Sequence, residues 1–198
     1  MNSKSSDDED SESENNSDSD SHYNKSILRL SHYKKEIMIN IANEYGEIGY
    51  IKGVLLNVDN IFKELKSDEV LKVLEFTDKE EEEEIKTFYI QVLSKENCKD
   101  SAFYITELFI EKEYRGNGIG RKIFEQLPKF LDRNIAEPIS CIYLMPGPLE
   151  RINGEVEYIM NPKDKEMVFL KQRLIRFYES VGFKRIGETD FYYREEAS

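Results

Sequence analysis

Residues 103–121 read Phe103-Tyr104-Ile105-Thr106-Glu107-Leu108-Phe109-Ile110-Glu111-Lys112-Glu113-Tyr114-Arg115-Gly116-Asn117-Gly118-Ile119-Gly120-Arg121. Six of the first eight are aromatic or β-branched, the composition of a strand. From about Gly118 the apolar residues Ile119, Ile123 and Leu127 fall on one helical stripe. Between them, Arg115 to Arg121 form a glycine-rich turn joining strand to helix. Glycine lets the backbone approach a ligand closely, and the free N–H groups at a helix start form an anion cradle backed by the helix dipole. Such a segment is either a pyrophosphate cradle or a plain tight turn. No Gly-Lys-Ser/Thr closes it, so it is not a Walker A loop, and its spacing after Gly118 departs from Gly-x-Gly-x-x-Gly.

Downstream, Pro128 predicts a kink or break in the helix. Cys141 to Met145 reads as a short strand stopped by Pro146-Gly147-Pro148. The next helix has Asn161 and Pro162 as N-cap and first position. Met167, Leu170, Leu174, Phe177 and Val181 form its buried stripe, Tyr178 lies at the stripe's edge, and Gly182 ends it. Phe183 to Ile186 and Phe191 to Tyr193 close the chain as a hairpin turning at Gly187 to Asp190. Upstream, Ile27 to Leu30, Glu36 to Ile41 and Ile48 to Leu56 read as strands, the last two joined by a turn at Glu44 to Glu47. Asp59 to Leu65, Asp68 to Phe76 and Asp78 to Ser94 read as helices, the last with Ile85, Phe88, Tyr89, Val92 and Leu93 on one face and the Glu80 to Glu84 run on its first turns. This order predicts an α/β fold, a mixed sheet with helices on both faces.

The chain has 198 residues, 39% hydrophobic and 34% charged, the range of one domain. Residues 1–25 read as an acidic, Ser-rich tail expected to be disordered, because they lack the apolar residues to offset ordering entropy. Ser6, Ser11 and Ser13 precede acidic residues, as acidophilic kinases prefer, although a solvating leader explains the composition more simply. Residues 26–198 read as the folded domain. The net charge of −12 argues against nucleic acid as a partner. No run approaches the roughly 20 apolar residues of a membrane span, and the N-terminus does not resemble a signal peptide. Cys98 and Cys141 have neither disulfide-scaffold nor zinc-site spacing, so the expectation is reduced thiols in a cytoplasmic chain without a metal.

At its loop the sequence resembles the GNAT superfamily of acetyl-CoA-dependent N-acetyltransferases. The family loop is Arg/Gln-x-x-Gly-x-Gly/Ala, and Arg115, Gly118 and Gly120 fill its three specified places. Leu174 to Phe183 is similar to the second signature, a helix ending in Tyr-x-x-x-Gly-Phe, here Tyr178, Gly182 and Phe183. The resemblance implies a GNAT-type α+β fold, with a mostly antiparallel central sheet splayed at the cofactor strand. It implies acetyl-CoA as co-substrate, with main-chain groups of Leu108, Phe109 and Ile110 pairing with the pantetheine arm. The pyrophosphate would lie on the loop of Gly116, Asn117, Gly118, Ile119, Gly120 and Arg121, with Arg115 either facing the phosphates or bracing the loop. Lys171 stands where many members have Asn, and residues 146–162 form a longer connection expected on the acceptor side.

Acetyl transfer from a thioester to an amine needs a neutral amine, oxyanion stabilisation and a proton for the departing thiolate. Tyr178, matching the family's tyrosine, is the candidate proton donor, or else an aromatic core residue. Glu107, an acid in an apolar strand, is the candidate base, or else a carboxylate paired with a sheet neighbour. Tyr104 or a water chain are alternatives. The acceptor is expected to be a small amine, a lysine or a protein N-terminus, met by a monomer or homodimer. A longer or acidic acyl donor, and a catalytically silent module binding acyl-CoA or a protein partner, are the competing readings.

Overall fold

The computed structural model describes residues 33–64, 93, 98, 100–135, 137–161 and 163–196. The tail, the strand at Ile27 to Leu30 and the helices expected at Asp68 to Phe76 and Asp78 to Ser94 lie outside the described residues, the latter apart from Leu93. The described elements are β1 (Lys34–Asn43), β2 (Gly46–Asn57), α1 (Val58–Glu64), β3 (Ser101–Ile110), α2 (Ile119–Asn134), β4 (Ile139–Leu144), β5 (Leu149–Ile152), β6 (Glu155–Tyr158), α3 (Lys165–Ser180), β7 (Lys184–Arg185) and β8 (Tyr192–Glu195). Among them, no helix is long and apolar enough to cross a membrane.

Six strands form one sheet in the order β1-β2-β3-β4-β8-β7, and β5 pairs with β6 in a separate hairpin. Every neighbouring pair in the sheet is antiparallel except β3 with β4. That parallel pair needs a crossover, and α2 supplies it. Apolar side chains leave both faces of the sheet. Val54, Leu56, Ala102, Cys141 and Tyr143 pack with Val58 and Ile61 at the start of α1. Ile51, Leu55, Phe103, Ile105, Ile142 and Leu144 pack under Phe124, Leu127 and Leu131 of α2 and Tyr178 of α3. Each of these three α2 side chains is at most 3% exposed, and full burial of such a side chain contributes about 1.5–3 kcal/mol.

Helix α2 runs through Pro128 without ending, so of the kink or break that the sequence predicts, the break does not occur. A proline removes the hydrogen bond to the carbonyl four residues earlier, here that of Phe124. The side chain of Arg194 on β8 replaces it, one guanidinium nitrogen donating to the Phe124 carbonyl at 3.2 Å. The same group donates to the Val181 carbonyl, ion-pairs with Glu196 at 2.6 Å and lies over the rings of Phe124 and Phe183. Its side chain and that of Glu196 are each 14% exposed. Arg194→Leu should therefore lower stability by about 3 kcal/mol, because it orphans both a helix carbonyl and a buried carboxylate. Urea unfolding checks this; a midpoint unchanged from wild type would mean that water serves the Phe124 carbonyl equally well.

Helix α3 begins later than its proline suggests. Asp164 is the N-cap, its carboxylate accepting from the Glu166 N–H at 2.8 Å, while the Asn161 side chain accepts from the Lys163 N–H in a preceding turn. Pro162 lies outside the described residues.

Candidate active site

The β3–β4 pairing sets the geometry. It runs from Ser101 to Ile105 of β3 and from Ile139 to Leu144 of β4, then stops, although β3 continues to Ile110. A β-bulge causes the divergence. On the other side of β3, Gly53 faces Ile105 but Lys52 faces Glu107, so Thr106 is the extra residue. Bulges bend a strand and sharpen its twist. Beyond Ile105, the β4-side edge of β3 therefore has no strand partner among the described residues.

The bulge also changes which way Glu107 points. Phe103 and Ile105 face α2, and strict alternation would put Glu107 with them. The extra residue turns Glu107 to the opposite face, beside Tyr50 and Lys52 of β2. Tyr50 donates its hydroxyl to Glu107 Oε2 at 2.6 Å, and Lys52 Nζ donates to Oε1 at 3.0 Å. Glu107 is 28% exposed as a side chain, so the sheet-neighbour alternative raised by the sequence describes its contacts. Burial and the adjacent carboxylate push the Tyr50 phenol well above its ordinary value, so it remains a donor to Glu107 throughout the neutral range. Tyr104 is half-buried and packs toward Phe191.

Tyr178 lies on the other face. It is not at the edge of the α3 stripe but is the buried residue of that helix, 7% exposed. Met167, Leu170, Leu174, Phe177 and Val181 are only half-buried. Gly182, at φ 98°, ends the helix in the left-handed region and folds the chain back, the Phe183 N–H donating to the Tyr178 carbonyl. Phe183 and Phe124 then meet the Tyr178 ring edge-on, each with centroids 5.8 Å away. Burial pushes its phenol well above the ordinary value, and its hydroxyl has no hydrogen-bond partner among the described residues. Glu107 and Tyr178 thus do not touch; they flank the sheet on either side of the opening between β3 and β4.

The loop after β3 is built as an open cradle. Gly116 and Gly118 have φ 81° and 76°, the left-handed region that glycine occupies without strain, and a Cβ at either would meet nothing within 4 Å. The first helical bond closes from the Lys122 N–H to the Gly118 carbonyl, so the N–H groups of residues 116–121 have no acceptor among the described residues. Gly120 serves packing instead. A Cβ there would lie 2.8 Å from the Phe177 ring, so its absence lets α3 close against α2. The Arg121 side chain turns aside to Ser180.

Arg115 braces the loop. It donates to the Ile110 carbonyl at 2.7 Å, pairs with Glu150 at 2.7 Å and donates to the Leu149 carbonyl. Arg151 pairs with Glu111 at 2.8 Å, and the two guanidinium groups lie 5.4 and 5.1 Å from the ring of Phe109. These contacts latch the β5–β6 hairpin to the end of β3. Lys171 pairs with Asp190 at 2.9 Å.

Sequence reasoning missed three features of this region. Lys52 and Tyr50 carry no local signal and reach Glu107 through strand register. The hairpin did have one: Asn153-Gly154, both at positive φ, is a two-residue turn pair that marks a hairpin in sequence.

The model of the acetyltransferase (GNAT) domain matches residues 78–185. No curated protein matches the chain. Among solved structures, the chain is similar to arylalkylamine N-acetyltransferase 2 from Aedes aegypti, at 18% identity over 88% of this chain and 75% of that one, with a TM-score of 0.44. It is also similar to an N-acetyltransferase from Staphylococcus aureus Mu50, at 22% identity over 80% of this chain and 67% of that one, with a TM-score of 0.32. The domain match spans more than half of the 198 residues and takes in both the open loop and the helix ending at Gly182, so the chain belongs to the GNAT acetyltransferase family.

Proposed function

We propose that this chain is an N-acetyltransferase that moves an acetyl group from acetyl-CoA to the amine of a small molecule, a lysine side chain or a protein N-terminus. The observation that carries this reading is the opening between β3 and β4, with the unengaged loop donors on its α2 side and an ionisable cluster on the other. The donor's features match the residues available. Six consecutive N–H groups at the positive end of a 16-residue helix suit a pyrophosphate, and the open space at Gly116 and Gly118 lets it reach the backbone. The free edge of Leu108 to Ile110 suits an extended, amide-bearing arm, which pairs with a sheet edge like an added strand. The Ile110 carbonyl is already engaged by Arg115, and the Glu111–Ile48 register turns the Phe109 groups toward Tyr50 of β2, leaving the Ile110 N–H and the groups of Leu108 for that purpose.

When bound, acetyl-CoA supplies an activated acetyl thioester. The chain's own residues do the rest. Glu107 accepts the proton that an ammonium must lose before its lone pair can react. Tyr50 holds the Glu107 carboxylate in place, and Tyr178 would give a proton to the leaving sulfur, its buried phenol keeping that proton at neutral pH. The latched hairpin covers the acceptor side and limits water. The buried free thiols Cys98 and Cys141 support an intracellular setting.

Glu107→Gln tests the assignment. Thiol release from acetyl-CoA with an amine panel should fall by about 10²- to 10³-fold at neutral pH, with acetyl-CoA affinity unchanged. The loss should shrink as the pH approaches the acceptor's own pKa of about 10, where free amine no longer needs a base. A variant as fast as wild type at neutral pH would remove Glu107 from the mechanism. Binding of acetyl-CoA without turnover of any amine would favour a silent acyl-CoA-binding module.

A further inference from the structure

The contact between Lys52 and Glu107 has the geometry of the reaction itself. An acceptor must bring an ammonium to the base on the face away from α2, at the mouth of the β3–β4 opening. In this structure an ammonium is already there. Lys52 Nζ lies 3.0 Å from Glu107 Oε1 and 5.2 Å from the centroid of the Tyr50 ring, a carboxylate and an aromatic face that together suit a primary alkylammonium. The lysine comes from the strand position directly opposite Glu107, next to the bulge where β3 leaves β4. Its side chain is 45% exposed, so it is free to shift toward the opening. Lys63 and Lys171 are instead engaged by Asp59 and Asp190, away from this cluster.

We infer that Lys52 is a self-acetylation site: with acetyl-CoA bound and no external amine present, the site acetylates its own Lys52 Nζ. This rests on the acetyltransferase reading and on Glu107 as base. In the step, the Lys52 ammonium gives one proton to Glu107, and the neutral nitrogen forms a bond to the thioester carbonyl carbon. The carbon–sulfur bond breaks and its electron pair leaves with sulfur, which takes a proton from Tyr178 to become free thiol, while the acylated nitrogen loses its second proton, which by way of solvent restores the Tyr178 phenol. One Nε-acetyl-lysine and one CoA thiol form, and Glu107 releases its proton to solvent. The amide carries no charge, so it no longer competes for the Glu107 carboxylate, and the position opens to an external ammonium.

The full chain is incubated with acetyl-CoA alone, digested and read by peptide mass spectrometry. Lys52 should gain one acetyl group at a first-order rate independent of protein concentration, at least ~10-fold faster than in Glu107→Gln. Lys52→Arg, which keeps a cation over Tyr50 but is a poor acceptor, should lose both the mark and the amine-independent thiol release. A readout without acetyl-CoA uses trace acetic anhydride. It should label Lys52 no faster than other exposed lysines and with no tenfold deficit in Glu107→Gln, since the anhydride acylates without the site. Acetylation by acetyl-CoA spread evenly over exposed lysines, or the same preference for Lys52 with the anhydride, would overturn the inference. So would turnover of an external amine by a wild-type chain whose Lys52 stays unmodified, which leaves the acetyltransferase reading standing. Failure of the wild-type chain to bind acetyl-CoA would remove both together.

Discussion

Gly118→Glu should weaken acetyl-CoA binding at least about 100-fold while leaving the domain folded. Two effects act at this position. The residue is the N-cap of α2 at φ 76°, where a side-chain-bearing residue costs about 1–2 kcal/mol. That strain alone is within the margin of a domain of this size. The second effect is electrostatic. A Cβ at Gly118 meets nothing within 4 Å, so the new carboxylate would extend into the open space of the cradle. There it competes for the same N–H groups as the pyrophosphate and repels it. Gly118→Ala separates the two contributions, since it brings the strain, which the free and bound chains share, without the charge, and should lose stability but little affinity. Calorimetric titration of wild type and both variants with acetyl-CoA, with melting temperatures alongside, measures this. Equal affinity in Gly118→Glu would take the pyrophosphate off this loop.

The strand, loop and helix from Ser101 to Asn134 were legible in sequence because each rests on a local rule. Aromatic and β-branched residues favour extension, glycines mark the left-handed turn positions, and the spacing of Ile119, Ile123 and Leu127 marks a helix. How the helix continues through Pro128 was hidden because the cost is relieved by Arg194, 66 positions later, and no local pattern reports that partner. The environment of Glu107 was hidden for a related reason. Its face depends on a single extra residue at Thr106, and a one-residue change of register reverses the facing of everything beyond it. Alternation alone would have set Glu107 under α2 among Phe103, Ile105 and Phe124, in an apolar layer rather than beside Tyr50 and Lys52. The position of Tyr178 escaped because a helical stripe says which side faces the sheet, not how far the helix end is pulled in. Gly182 and the folded-back Phe183 decide that.

Tyr178→Phe should lower turnover by about 10²- to 10⁴-fold with little change in acetyl-CoA affinity or melting temperature. Burial of Tyr178 makes this substitution cleaner than an exposed position would. The ring is held edge-on by Phe124 and Phe183 and tilted against Phe177, and phenylalanine keeps all three contacts. The hydroxyl makes no hydrogen bond among the described residues, so its removal leaves no partner orphaned and the stability cost is small. What is lost is a transferable proton. Because burial raises the phenol above its ordinary value of 10.0, the donor form persists through the neutral and mildly alkaline range. Wild-type turnover should therefore show no alkaline decline from this group up to that value. Tyr178→Leu, which also removes the aromatic contacts, should add a loss of stability of about 2–3 kcal/mol that Tyr178→Phe lacks. The pair thus separates packing from proton transfer. Nearly full turnover in Tyr178→Phe would assign the residue to the core that joins α3 to α2, and would leave the departing sulfur to be protonated by water.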